Sequence, residues 1–233
     1  MEIKPKHIAI IMDGNHRWAT KRMLPAKLGH KAGATAIKEI VKSALEFKIQ
    51  YITIYAFSTE NWSRSKGEVA DLMKLLQNYL ENDVADLIKY GVKILSSGDL
   101  SQLEPKIEQK IELIKNKTKN NQNITLNVAF NYGSRAEITK AVKNIAKDIK
   151  DNKIKLSDIN EDLISNNLYN PEIEDPDLII RTGGRNRLSN FLLWQSSYSE
   201  LYFTDILWPD FGKNDLKNAI EDFNKRKRNY GTR

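Results

Sequence analysis

Five short runs rich in apolar and β-branched residues recur along the chain, each followed by a longer stretch with helical spacing. They occupy residues 8–12, 51–57, 92–95, 124–130 and 177–180, and residues 200–204 are a candidate sixth. Near-continuous apolar runs of this length suit strands covered on both faces of a parallel sheet. The stretches between them place apolar residues three and four apart, as in Ile37, Ile40, Val41, Ala44 and Leu45, which is one face of a helix. A long amphipathic stretch covers 69–88, a charged surface helix 103–119, and a helix runs through Ile138, Val142, Ile145 and Ile149. Residues 152–170 read as a loop and a short helix capped by Ser157, and a last helix covers 215–228. Alternating strands and helices mean an α/β fold, a largely parallel sheet of about six strands flanked by helices with right-handed crossovers. No linker, repeat or low-complexity segment divides residues 1–233, so a single domain is expected.

In such sheets ligands gather beyond the carboxyl ends of the strands. Polar clusters fall there four times: Asp13 to Arg17, Ser58 to Arg64, Asn131 to Arg135, and Arg181 to Arg187. Asp13-Gly14-Asn15 breaks the first run with turn and cap residues, and a helix beginning there aims free N–H groups at the strand end, a natural place for phosphate. Arg17, Arg64, Arg135, Arg181 and Arg187 supply cations that grip phosphate oxygens in pairs. Asp13, Glu60, Glu68 and Glu200 are acids for Mg²⁺, which is usually held by one or two carboxylates plus substrate phosphates. Asn15, His30, Ser58, Asn61 and Ser189 are positioning groups. Each has a bland alternative, since Asp13 and His30 suit helix caps and Trp62 suits loop packing. Four clusters on one rim point instead to an active site.

Composition narrows the chemistry. The net charge of +7 suits an anionic partner, although part of it lies in Lys225-Arg226-Lys227-Arg228, which reads as a solvated helix end. There is no cysteine, so disulfides and thiolate metal sites are excluded. With no signal-peptide pattern and no apolar run near the ~20 residues that span a bilayer, a cytoplasmic protein is expected. P-loop, dinucleotide, zinc-protease and nucleophile-elbow signatures are absent. What remains is a diphosphate or nucleotide-like substrate with Mg²⁺, bound near large apolar surfaces.

The segments Ile11-Met12-Asp13-Gly14-Asn15, Gly29-His30-Lys31-Ala32-Gly33, Ala56-Phe57-Ser58-Thr59-Glu60-Asn61-Trp62, Asn131-Tyr132-Gly133 and Ile180-Arg181-Thr182-Gly183-Gly184 resemble the cis-prenyltransferase family, and within it the bacterial undecaprenyl diphosphate synthases. So do Leu188-Ser189-Asn190-Phe191-Leu192-Leu193-Trp194-Gln195, Ser199-Glu200-Leu201-Tyr202-Phe203 and Leu207-Trp208-Pro209-Asp210-Phe211. The resemblance implies that isopentenyl diphosphate units are added to farnesyl diphosphate, giving undecaprenyl diphosphate, the lipid-carrier precursor for cell-wall sugars. It implies a homodimer with no nucleic-acid partner and at most peripheral membrane contact, because the product is a membrane lipid. It makes Asp13 and Asn61 catalytic and gives Mg²⁺ to Asp13 and Glu200. Gly14, Asn15, Arg17 and His30 fall to the allylic diphosphate, and Arg181, Arg187 and Ser189 to isopentenyl diphosphate. Ser58, Asn61, Trp62, Arg64 and Glu68 match a loop that closes over both substrates, and His16, Trp18, Thr59, Glu60 and Leu188 join the substrate-binding set without a subsite.

The chain departs from the family pattern at His16 and Ser134, where Gly is usual, and at Ser65, where Pro is frequent. Ala26 stands where many relatives place an Arg that grips the allylic diphosphate, with Lys27 adjacent. A long prenyl product needs an apolar tunnel, and the expectation is that helix 69–88 walls it, Ala56 opens its mouth and Ile124 forms its floor. Three other readings compete. An aspartate-nucleophile phosphatase wants a second acid where Asn15 stands, a basic nucleic-acid binder predicts steep salt dependence, and an inactive subunit is disfavoured by the presence of Asp13, Arg181, Arg187 and Glu200.

Overall fold

The computed structural model describes residues 4–227. All six runs are strands: β1 (His7–Ile11), β2 (Tyr51–Ser58), β3 (Val92–Ser97), β4 (Ile124–Tyr132), β5 (Leu178–Arg181) and β6 (Glu200–Phe203). They form one sheet in the order β3-β4-β2-β1-β5-β6, and every neighbouring pair is parallel. The helices are α1 (Asn15–Lys21), α2 (Ala26–Glu46), α3 (Lys66–Asn78), α4 (Val84–Lys89), α5 (Pro105–Thr118), α6 (Ser134–Lys150), α7 (Glu161–Asn166) and α8 (Lys213–Lys225). The chain leaves β1 toward β2 on one side and later returns to β5 on the other. That makes the β1–β5 seam a topological switch point, where the crevice of an open parallel sheet lies.

Alternation along β1 explains its unbroken apolar run. Ile8 and Ile10 enter the core beneath α2 and α8, whereas Ala9 and Ile11 join a second core with Tyr132 and Phe191. The apolar stripe of α2, Ile37, Ile40, Val41 and Ala44, is buried on the first of these faces. α5 is less superficial than its charge suggests, because Ile107, Ile111 and Ile114 bury one side of it.

Three boundaries differ from the expectation. The stretch 69–88 is not one α-helix, since a π-helical turn at Tyr79–Asp83 separates α3 from α4. Such a turn adds a residue without interrupting the apolar stripe, so periodicity does not reveal it. The short helix α7 is capped by Asn160, whose side chain accepts from the Leu163 N–H at 2.8 Å, while Ser157 lies in a separate 3₁₀ turn. α8 starts at Lys213 because Asp215 reaches back to the Gly212 N–H at 2.9 Å. It ends at Lys225, and Arg228 lies outside the described residues.

Two glycines of α2 are explained by what crosses them. Glycine inside a helix costs about 1 kcal/mol relative to Ala, yet a Cβ at Gly29 would stand 2.1 Å from the Asn15 carbonyl oxygen. At Gly33 it would meet Asn15 Oδ1 at 2.3 Å. Gly33 also accepts the Trp208 indole N–H at 2.8 Å. Gly29→Ala is therefore expected to destabilise the fold by about 2 kcal/mol or more in urea unfolding, because backbone must move to admit it. A neutral or stabilising effect would contradict this packing.

His7 is buried at the start of β1. Its Nδ1 donates to the Glu174 carbonyl at 2.6 Å, and Nε2 accepts from Thr53 Oγ1 at 2.8 Å. Burial pushes its pKa down to about 4, against an unfolded value of about 6.5. Below pH ~6.5 the unfolded chain binds the extra proton first, so stability falls as pH drops and levels off near the folded value. The His7 contribution to that fall is about 3 kcal/mol. Its absence in a His7→Gln variant, measured as unfolding free energy from pH 7 to pH 4, is the expected signature.

Candidate active site

Asp13 leaves the end of β1, and Arg181 closes β5 beside it. Arg17 Nη2 donates to Asp13 Oδ1 at 3.0 Å and Arg181 Nη2 to Oδ2 at 3.0 Å. Two guanidiniums on one carboxylate leave surplus positive charge at the switch point. Arg181 is held tightly: its side chain is 5% exposed, its Nη1 donates to Ser189 Oγ at 2.7 Å and to the Arg187 carbonyl, and its buried Nε has no partner. Arg17 also donates to the Gly183 carbonyl at 2.6 Å. Gly14 turns the chain between β1 and α1 at φ +116°, pressed on Leu207, where a Cβ would come within 3.0 Å of Leu207 Cα. α1 then starts with no side-chain cap and no acid in its first turn.

The segment after β2 is a 3₁₀ turn, Thr59–Ser63, closed by Asn61 Oδ1 accepting from the Ser58 N–H at 3.0 Å. Arg64 pairs with Glu68 at 2.8 Å. Asn190 ties three rim segments together. Its Nδ2 donates to Glu60 at 2.9 Å, its Oδ1 accepts from the Arg135 N–H at 2.9 Å, and its carbonyl accepts from the Ser134 N–H at 2.8 Å. Burial alone would raise the Glu60 pKa, but hydrogen bonds led by Asn190 outweigh it and hold the carboxyl below its usual range.

These residues enclose a polar cavity of about 640 Å³ lined by Asp13, Asn15, His30, Tyr55, Ser58, Glu60, Asn61, Arg64, Arg181, Arg187, Ser189 and Asn190. A second cavity, of about 150 Å³, is almost wholly apolar and lies between the sheet and helices α2, α3, α4 and α5. Met12, Asn15, His30, Ala56 and Leu72 line both, so the two meet there. At that junction Asn15 Oδ1 and His30 Nε2 are buried without a partner. Burial, aided by the Arg64 charge, lowers the His30 pKa, which favours a neutral ring.

Other expected site residues stand apart from the cavity lining. His16 is exposed on α1, and the Trp18 indole donates to Asp210 at 2.6 Å. Trp62 donates to Asn131 Oδ1 at 2.8 Å and packs edge-on against Phe57. Thr59 Oγ1 lies where a Cβ on Gly133 would be 2.6 Å away, and Leu188 packs on the second core. Lys27 is exposed and Arg135 reaches the rim only through its backbone. Glu200 is the clearest departure. It begins β6 in register with Leu178, and Leu178 with Ile8, so it sits at the opposite end of the strands from Asp13, on the order of 15 Å away. Its carboxylate accepts from Arg226 at 2.8 Å, so part of the basic tail is an ion pair rather than a solvated end. Within one chain Glu200 does not join Asp13. Ile124 is likewise absent from the apolar cavity, whose deep end is lined by Ile94 and Leu126. Sequence alone does not single out Asn190 or Tyr55. Asn190 adopts φ +62°, a conformation Asn tolerates better than most residues, and that is the signal it carried.

Residues 11–231 match the prenyltransferase family model described as "Putative undecaprenyl diphosphate synthase". The chain belongs to this family. It is 51% identical to the isoprenyl transferase of Clostridium tetani, over 97% of this chain and 89% of that one. It is 50% identical to the isoprenyl transferase of Fusobacterium nucleatum, over 97% and 96%. Among solved structures, lavandulyl diphosphate synthase from Lavandula x intermedia, in complex with dimethylallyl diphosphate, superposes with a TM-score of 0.96 at 34% identity, covering 99% of this chain and 100% of that one. A probable undecaprenyl diphosphate synthase from Campylobacter jejuni gives 0.82 at 35% identity, with the same coverages. The chain is thus a prenyltransferase of the undecaprenyl diphosphate synthase type, with a fully parallel sheet. Among the described residues no helix is long and apolar enough to cross a membrane.

Proposed function

We propose that the chain condenses isopentenyl diphosphate units onto farnesyl diphosphate to give undecaprenyl diphosphate, with Mg²⁺ as cofactor. The observation that carries this reading is the junction itself: a polar cavity with surplus arginine charge opens into an apolar one. In each condensation the allylic C–O bond breaks and its electrons leave with the diphosphate. The alkene of isopentenyl diphosphate forms the new C–C bond, and a proton is lost. His30 Nε2, orphaned at the junction, and the Asn15 side chain line the place where the diphosphate departs, Arg17 adds positive charge through its pairing with Asp13, and preorganised groups of that kind stabilise charge as it develops. Arg181, Arg187 and Ser189 receive the second diphosphate. Asn61 fixes the turn that presents Ser58, and closure of this side of the cavity keeps water from the carbocation.

Asp13 fits Mg²⁺ as a single hard oxygen ligand that shares the ion with substrate phosphates, the usual arrangement for this metal. No cluster of three or more metal-binding side chains occurs among the described residues. When bound, Mg²⁺ would neutralise diphosphate charge. From Ser58 to the level of Leu126 the apolar path spans six residues of β2, about 20 Å, which favours repeated elongation over a short product.

Incorporation of labelled isopentenyl diphosphate into farnesyl diphosphate, with and without Mg²⁺, tests the reading. Arg187→Lys keeps the charge but loses the fork. The expected result is a KM for isopentenyl diphosphate raised about tenfold, near the worth of one charged hydrogen bond, with farnesyl diphosphate affinity unchanged. Equal losses for both substrates would refute the division into two subsites.

A further inference from the structure

We propose that the turn between α1 and α2 is a docking surface for an anionic lipid bilayer. From residue 14 to residue 38 the chain carries six Lys and Arg residues and no Asp or Glu. The turn at the centre of this stretch pushes Met23 outward, 95% exposed, with its backbone at φ +53°. An unbranched apolar residue held in the left-handed region and projected into solvent is an unfavourable arrangement on two counts. Leu24 and Leu28, each 38% exposed, flank it. Lys21, Lys27 and Lys31 surround these apolar groups, are exposed, and make no ion pair among the described residues. Lys27, Leu28 and Lys31 share the outer side of the first turns of α2.

Of the other three cations, Arg17 pairs with Asp13, Lys38 with Asp86, and Arg22 acts as a brace. Its guanidinium pairs with Asp210 at 3.1 Å and lies 4.2 Å over the Trp18 ring. Other strongly exposed apolar residues lack this setting, since Leu113 and Val142 stand singly on helices that carry both charge signs, Leu156 and Ile159 flank Asp158 with Glu161 and Asp162 close behind, and Tyr198 lies two residues before Glu200. Apolar side chains that project between unpaired lysines suit the interface of a bilayer, where the apolar groups enter the headgroup region and the cations meet anionic lipid. An acidic protein surface would satisfy the lysines but would leave Met23 without a reason to project.

The position gives the surface a use. α2 runs from this patch directly to His30, where the polar and apolar cavities meet. A long apolar product leaving that junction would emerge beside the lipid. This use rests on the proposed function, whereas docking itself does not need turnover.

Co-sedimentation of the protein, without substrates, with vesicles of phosphatidylglycerol and phosphatidylcholine tests the proposal against vesicles of phosphatidylcholine alone. Binding to the anionic vesicles is expected to be at least tenfold tighter and to weaken with salt. Lys21→Glu and Lys31→Glu should each lower it about fivefold or more. Met23→Asp should lower it severalfold while incorporation activity in detergent stays at the wild-type level. Asp tolerates the left-handed conformation better than Met, so folding is not at risk. Equal binding to both vesicles, no binding to either, or variants that bind like the wild type would overturn the docking surface. Vesicle binding by a chain that incorporates no isopentenyl diphosphate would overturn the functional reading and leave the surface standing.

Discussion

Asp13→Asn is expected to lower kcat by about 100- to 1,000-fold, the range seen when one preorganised charge-stabilising group is lost. The substitution keeps the shape of the side chain and one oxygen that can accept from a guanidinium. It removes the charge that balances Arg17 and Arg181 and the hard ligand proposed for Mg²⁺. Arg181 is too buried to find water in compensation, so folding should also suffer, by about 2 kcal/mol. A thermal melt and a turnover assay on the same preparation separate the two effects. At saturating Mg²⁺ the stability loss leaves the chain folded at assay temperature while turnover collapses. Activity within twofold of the wild type would remove Asp13 from the chemistry, whatever its structural role.

Ala56→Leu is expected to shorten the main product. Ala56 sits where the cavities meet and its small side chain leaves the passage open. A β-bulge re-phases β2 after Tyr55, which brings both Ala56 and Phe57 to the apolar cavity. A close-packed wall cannot absorb three added carbons without displacing neighbours. The growing chain should therefore stop after fewer additions while the first condensations continue. Leu126→Ala, at the deep end, should act in the opposite direction and admit longer chains, because the space left by the truncated side chain stays partly open. Ile124→Ala is expected to alter stability and not length, since Ile124 packs in the core away from the cavity. Chromatography of products made under excess isopentenyl diphosphate reads all three.

Much of this architecture is legible in the sequence. The six strands follow from apolar runs, because buried parallel strands need both faces apolar and leave no ambiguity of register with solvent. The polar clusters marked the carboxyl-end rim for the same reason, and Asp13, Arg181, Arg187 and Ser189 do converge there. Side-chain direction is less legible. Trp18 and Trp62 occur inside the right motifs, but their indole N–H groups need partners and find them at Asp210 and Asn131, away from the cavity. Glu200 is set beside Asp13 by the family resemblance alone, since as the first residue of the sixth run it falls at the amino ends of a parallel sheet, where the register places it. The π-helical turn and the bulge in β2 were also hidden, because each shifts phase by a single residue within an unbroken apolar pattern.

In the proposed function a cationic pocket feeding an apolar cavity makes this chain an elongating prenyltransferase. Supplying farnesyl diphosphate, excess labelled isopentenyl diphosphate and Mg²⁺, and separating the products by chain length, measures it most directly. The expected result is undecaprenyl diphosphate as the dominant species. A product that stops after one addition, or no incorporated label from a folded chain, would contradict it.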